Sequence, residues 1–191
     1  MSPRPETIDL IRRLIAFDTT SRNSNLELIE FVQSRLEELG VGCELVHNAE
    51  KSKANLFATL GPDDRGGIAL SGHTDVVPVD DQIWGTDPFE VHERDGRLYG
   101  RGTADMKSFI AVCLALAPEF LNGSIKIPLH FAFSYDEEVG CLGVRGLLER
   151  LSGRELKPKA CIIGEPTMMK VVRAHKGKLS YRCEVSGLES H

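Results

Sequence analysis

The stretch Ile68-Ala69-Leu70-Ser71 constrains the fold most, because it is a short run with almost no polar face. A strand that is apolar on both sides needs cover on both, as the central strands of an α/β sheet have. Residues 128–134 read as a second buried strand, and residues 43–46, 55–60 and 160–163 as further strands. Between them lie helical patterns. Ile8, Leu10, Ile11, Leu14 and Ile15 recur at helical spacing over 5–17, and Leu26, Leu28, Ile29, Val32 and Leu36 over 23–39, where Gly40 is placed to cap the helix. Residues 106–121 are apolar almost all round and read as a buried helix, and residues 142–151 as another. Asp95-Gly96 marks a hairpin within 94–99. Two more strands are expected near 170–173 and 179–185, the last with a polar–apolar pattern that opens a second domain. Strands alternating with helices predict a three-layer α/β/α domain.

Composition narrows the function. The chain has 191 residues, 41% of them hydrophobic, enough for one domain with a sizeable core or one domain and the start of another. Its net charge is −5 and no Lys/Arg cluster is present, which argues against nucleic acid. The five cysteines are odd in number and form no C-x-x-C; Cys113 and Cys161 lie in apolar runs and read as reduced, buried thiols of a cytoplasmic protein. No signal-peptide apolar core follows Met1, and the longest uncharged apolar run, 108–118, is too short to cross a bilayer. No membrane partner is expected.

The apolar runs end in groups that bind metals. His73 and Asp75 close the first as His-x-Asp, and side chains two apart on a strand point the same way. Asp105 follows the turn Gly100-Arg101-Gly102 and precedes a helix. Glu137-Glu138 follows Phe131-Ala132-Phe133-Ser134, and Glu165 follows Cys161-Ile162-Ile163-Gly164. Adjacent carboxylates repel each other unless a cation compensates, and one of a pair can ligate while the other acts as general base. Taken singly, each has a plainer role: a loop cap for His73 and Asp75, a helix N-cap for Asp105, a solvated loop end for Glu137-Glu138, a surface glutamate for Glu165. Together they place one histidine and several carboxylates at the C-terminal ends of strands, where open α/β sheets carry their sites. Mixed His and carboxylate ligation suits zinc, cobalt or manganese. A nucleotide site fits poorly, because Gly140, Gly143 and Gly146 form no G-x-G-x-x-G and no Walker lysine follows.

His73-Thr74-Asp75-Val76-Val77-Pro78, the stretch from Leu98 through Gly102-Thr103-Ala104-Asp105-Met106-Lys107, and Asp136-Glu137-Glu138 resemble the dinuclear aminoacylase/carboxypeptidase metallohydrolases. Within that family, Phe133 to Gly143, Gly72 to Val79 and Gly164-Glu165-Pro166-Thr167 are most similar to the acetylornithine deacetylase/succinyl-diaminopimelate desuccinylase group. The resemblance implies a mixed, largely parallel sheet and two divalent metal ions, zinc or cobalt. His73 and Glu165 would hold one ion, Asp105 would bridge both with a cis peptide to Met106, and Glu138 would hold the second. Glu137 would be the general base and Asp75 would orient His73. The implied substrate is a small N-acyl amino acid, N2-acetyl-L-ornithine or a succinylated or other acylated analogue, and the implied assembly is a homodimer. Family members are longer, and their second metal takes a further histidine that has no counterpart here. The expectation is therefore an N-terminal part: residues 1–176 from the catalytic domain, and 177–191 opening an inserted α+β lid and dimerisation domain. His191, in Gly187-Leu188-Glu189-Ser190-His191, is similar to a histidine that reaches the partner's active site and steadies the oxyanion.

Overall fold

The computed structural model describes residues 4–123, 125–174, 176, 177, 179 and 181–188. In chain order the elements are α1 (Pro5–Ile15), α2 (Leu26–Glu37), β1 (Cys43–His47), β2 (Ala54–Leu60), β3 (Ile68–His73), β4 (His92–Arg94), β5 (Arg97–Tyr99), α3 (Lys107–Asn122), β6 (Leu129–Ser134), α4 (Val144–Ser152) and β7 (Ala160–Ile163). Pro5 opens α1, where its missing N–H has no intrahelical partner to lose. The first helix then buries Leu10, Ile11, Leu14 and Ile15, the apolar stripe seen in the sequence.

Five strands form one sheet in the order β1-β2-β6-β3-β7, and β4 and β5 form a separate hairpin. The sheet is mixed. β1 with β2 and β2 with β6 run antiparallel, while β3 runs parallel to both β6 and β7. Its parallel half carries the site.

The alternation along each strand sorts residues between two faces. Ala54, Leu56, Ala58 and Leu60 of β2, with Phe131 and Phe133 of β6, join the buried residues of α1, α2 and α3 in the main core. Burying each large side chain of this kind contributes roughly 1.5–3 kcal/mol. Phe57 and Ala132 point the other way and pack with Leu147 of α4. Helices thus cover both faces, as the continuous apolar strand requires, and the fold is α/β.

Three expectations are corrected. Among the described residues, 170–173 and 179–185 contain no strand and are exposed. A strand is stabilised by its ladder, and β3 is the one strand that pairs with β7 at this side of the sheet among them. For the same reason Cys161 on β7 is exposed, whereas Cys113, on the packed face of α3, is buried as expected. The helix α3 is not buried all round, since Val112 is exposed. No described helix is long and apolar enough to cross a membrane.

Candidate metal centre

Three parallel strands deliver their C-terminal ends to one edge of the sheet. His73 is the last residue of β3 and lies opposite Ser134, the last residue of β6. The ladder continues past it, with the Thr74 amide donating to the Ser134 carbonyl at 2.8 Å. β6 therefore hands the chain to Tyr135-Asp136-Glu137-Glu138 beside His73. On the other flank, the Gly164 amide donates to the Ser71 carbonyl at 3.0 Å, which carries Glu165 to the same edge. Gly164 has to be glycine, because a Cβ there would lie 2.1 Å from the Phe109 ring of α3.

The imidazole of His73 lies at the floor, its side chain 2% exposed, and the carboxylates stand at the rim. Its Nε2 is 2.9 Å from Asp105 Oδ1, 3.7 Å from Glu165 Oε1 and 3.9 Å from Glu137 Oε2. His73, Asp105 and Glu165 each offer a donor atom within 4.8 Å of the others, a spacing that fits one cation. A nitrogen with two carboxylates is a donor set suited to zinc and similar ions. The helix α3 receives no side-chain cap, so Asp105 is not an N-cap and its carboxylate faces His73 instead. The Asp105–Met106 peptide is cis, as the resemblance implies.

Asp75 does more than face the histidine. The Nδ1–H of His73 donates to the Asp75 carbonyl at 2.9 Å, and the carboxylate is further off at 3.5 Å. That carboxylate accepts from the Ser21 hydroxyl at 2.7 Å, the Glu137 amide at 3.0 Å and the Glu138 amide at 3.2 Å. Asp75 thus holds the ring through its carbonyl and the backbone of the glutamate pair through its carboxylate. Glu138 lies outside the compact three-residue group, near enough to Asp105 for the two carboxylates to repel each other.

Charge follows geometry. Burial pulls His73 down, but its hydrogen bond to Asp75 and the charges of Asp75 and Asp105 outweigh it and raise the ring to about 9. Burial pushes Asp75 up, yet bonds from His73, Ser21 and the Glu137 amide hold it below its ordinary value. Glu138 and Glu165 are both raised, first by burial and then by Asp105 and the other carboxylates. Such crowding is the condition that a bound cation relieves.

Several supporting residues escaped the sequence reading. Asn25 is buried; its amide donates to the Ala54 carbonyl and to Thr74 Oγ1, each at 2.9 Å, and its oxygen accepts from the Ala54 amide. Lys107 is wholly buried and donates to the Phe17 carbonyl at 2.7 Å; burial lowers it to about 7 against the charges of Asp18 and Asp75. The available signal for Lys107 was a lone lysine opening an otherwise apolar helix. His191 lies outside the described residues.

An α/β sheet with one histidine and several acids at the ends of its parallel strands is the framework of a metallohydrolase. The profile of Peptidase family M20/M25/M40 matches residues 69–188, and the chain belongs to that family. It is 39% identical over 194 residues to an acetylornithine deacetylase of Proteus mirabilis, covering 98% of this chain and 49% of that protein. It is 40% identical over 195 residues to an acetylornithine deacetylase of Edwardsiella ictaluri, covering 98% and 50%. The chain spans about half the length of the curated relatives it matches. Among solved structures, a family M20 metallo-carboxypeptidase from Sulfolobus solfataricus superposes with a TM-score of 0.73 at 20% identity, covering 84% of this chain and 37% of that one. Human carnosine dipeptidase 1 gives 0.70 at 24%, covering 83% and 38%. At these identities the likeness is one of fold.

Proposed function

We propose that this chain supplies the metal-and-base part of an amidohydrolase that removes the acetyl group from N2-acetyl-L-ornithine, giving L-ornithine and acetate. The observation that carries the reading is the convergence of His73, Asp105 and Glu165 within 4.8 Å, with the Glu137 carboxylate 3.9 Å from His73 Nε2. The choice of substrate is supported by the deacetylase relatives at 36–40% identity.

In this reading two divalent ions bind, zinc first and cobalt as the alternative. His73 and Glu165 would hold one, Glu138 would hold the other, and Asp105 would serve both. When bound, the ions supply Lewis acidity toward the amide carbonyl and toward water. Glu137 takes the proton of the attacking water and returns it to the leaving amine. Asp75 keeps His73 in the tautomer that leaves Nε2 free to ligate. Residues 177–191 open a lid and dimerisation domain, and His191 steadies the oxyanion across a homodimer in the cytoplasm.

Acetate or succinate release from N2-acetyl-L-ornithine, N-succinyl-diaminopimelate and N-acetyl-methionine by a full-length protein that contains this chain, with Zn²⁺ or Co²⁺ added, tests the assignment. The acetylornithine kcat/KM is expected to be highest, and Glu137→Ala is expected to lower kcat roughly 10²–10⁴-fold with metal still bound. A preference for the succinylated substrate would make the protein a desuccinylase. Tight metal binding without turnover of any substrate would leave a metal-binding module.

A further inference from the structure

Lys53 carries no role in the reading above, yet three segments of the site meet at its ammonium group. It pairs with Asp136 Oδ1 at 2.5 Å and donates to the Ser21 carbonyl. Both ion-pair side chains are mostly shielded, 13% and 17% exposed, so their attraction is less screened than that of a surface pair. Asp136 sits directly before Glu137 and adopts φ 55, the left-handed region that a non-glycine residue enters at a cost. Ser21, at the other end, uses its hydroxyl to hold the Asp75 carboxylate. Asp75 in turn accepts the amides of Glu137 and Glu138. The lysine and the glutamate pair are therefore joined twice, once through Asp136 and once through Ser21 and Asp75.

The lysine's own backbone is also fixed. Its amide donates to Asn48 Oδ1 at 3.0 Å, and its carbonyl accepts from the Asn48 amide at 3.0 Å. The following residue, Ala54, is held on both its N–H and its C=O by Asn25. A cation anchored in this way resists the repulsion between the neighbouring acids and fixes where the turn after β6 leaves the sheet.

We propose that Lys53 is a positioning residue for the Glu137–Glu138 tip, bracing Asp136 and Ser21 so that the base and the metal-ligating carboxylate face His73. This rests on the metal-site reading for the roles of the two glutamates, but its geometric content stands apart from it. The test is amide hydrogen exchange on the whole chain, paired with a Co²⁺ titration. In Lys53→Met, the Glu137 and Glu138 amides are expected to exchange at least about tenfold faster, with Co²⁺ affinity falling by a similar factor. The Phe131 and Phe133 amides within β6 should keep their wild-type rates. Asp136→Ala is expected to reproduce the pattern, and Asp136→Asn, which keeps an oxygen acceptor and tolerates the left-handed backbone, to preserve the wild-type one. Equal acceleration throughout β6 would show a merely structural lysine and overturn the proposal, as would unchanged exchange at both glutamates. Failure of the wild-type chain to bind Co²⁺ would overturn the metal reading, and the exchange pattern would still decide the role of Lys53.

Discussion

His73 has two neighbours on opposite sides of its ring, and they set opposite demands. Nδ1 is tied to Asp75, and Nε2 faces Asp105. The period-two pairing of His73 and Asp75 was legible in the sequence because both lie where a strand ends. The wider work of the Asp75 carboxylate was not, since its Ser21 donor lies 54 residues away and its amide donors lie 62 and 63 away. The charge balance leads to a prediction. In the metal-free fold the neighbouring carboxylates raise His73 from its ordinary value of 6.5 to about 9. The folded value is the higher one, so the protonated ring stabilises the fold; that contribution is complete below pH 6.5 and is lost as pH rises through 9. The raised values of Glu138 and Glu165 act in the same direction at lower pH, because ionising them costs the folded state. A divalent ion competes with the same His73 proton, so its affinity should rise with pH over that window. Urea unfolding of the EDTA-treated chain should therefore show stability falling from pH 6.5 to 9, while Zn²⁺ titrations show affinity rising. Flat profiles in both would mean that His73 is not protonated in the metal-free fold.

At the scale of elements, the sequence was informative wherever burial dictated the pattern. The continuous apolar run of β3 announced its central place, and the stripes of α1 and α2 matched the faces they bury. It was uninformative where a contact partner decides the outcome. Residues 160–163 read as a strand and form one, but nothing local told whether β7 would be covered. The turn after β6 is another case, since its geometry depends on a close approach between residues eight apart. A Cβ on Gly143 would lie 2.1 Å from the Tyr135 carbonyl oxygen, and Asn55 donates to the Gly143 carbonyl at 2.9 Å. The obstacle is backbone, so it cannot swing aside as a side chain would. Gly143→Ala should destabilise the chain by roughly 1–3 kcal/mol, the usual cost of overpacking. Thermal melting measures that loss. Because the strain falls on the turn that carries Glu137 and Glu138, metal affinity should fall with it. An unchanged melting temperature would show that the turn relaxes freely.

For the whole molecule, the two edges of the sheet differ. β1 is half-buried and has α4 beside it, whereas all four residues of β7 are exposed. Ile162 and Ile163 are 53% and 63% exposed on that strand, and beyond them Met168, Met169, Val171 and Val172 are exposed too. An apolar edge with unpaired amides and carbonyls is a template for another strand, and contiguous apolar surface favours association. Net charge alone does not prevent this, because the −5 is spread over the chain rather than placed on β7. The chain by itself should therefore self-associate through β7, with light scattering that grows with concentration under reducing conditions, where exposed Cys161 forms no cross-link. A lysine on an edge strand resists pairing, because docking a second strand buries its charge. Ile162→Lys should then lower the association while leaving Zn²⁺ affinity near the wild-type value, since Ile162 contributes no atom to the metal group. Association that persists undiminished in this variant would move the contact to another surface. A wild-type chain that stays monomeric at high concentration would mean that the β7 edge resists pairing without the added charge.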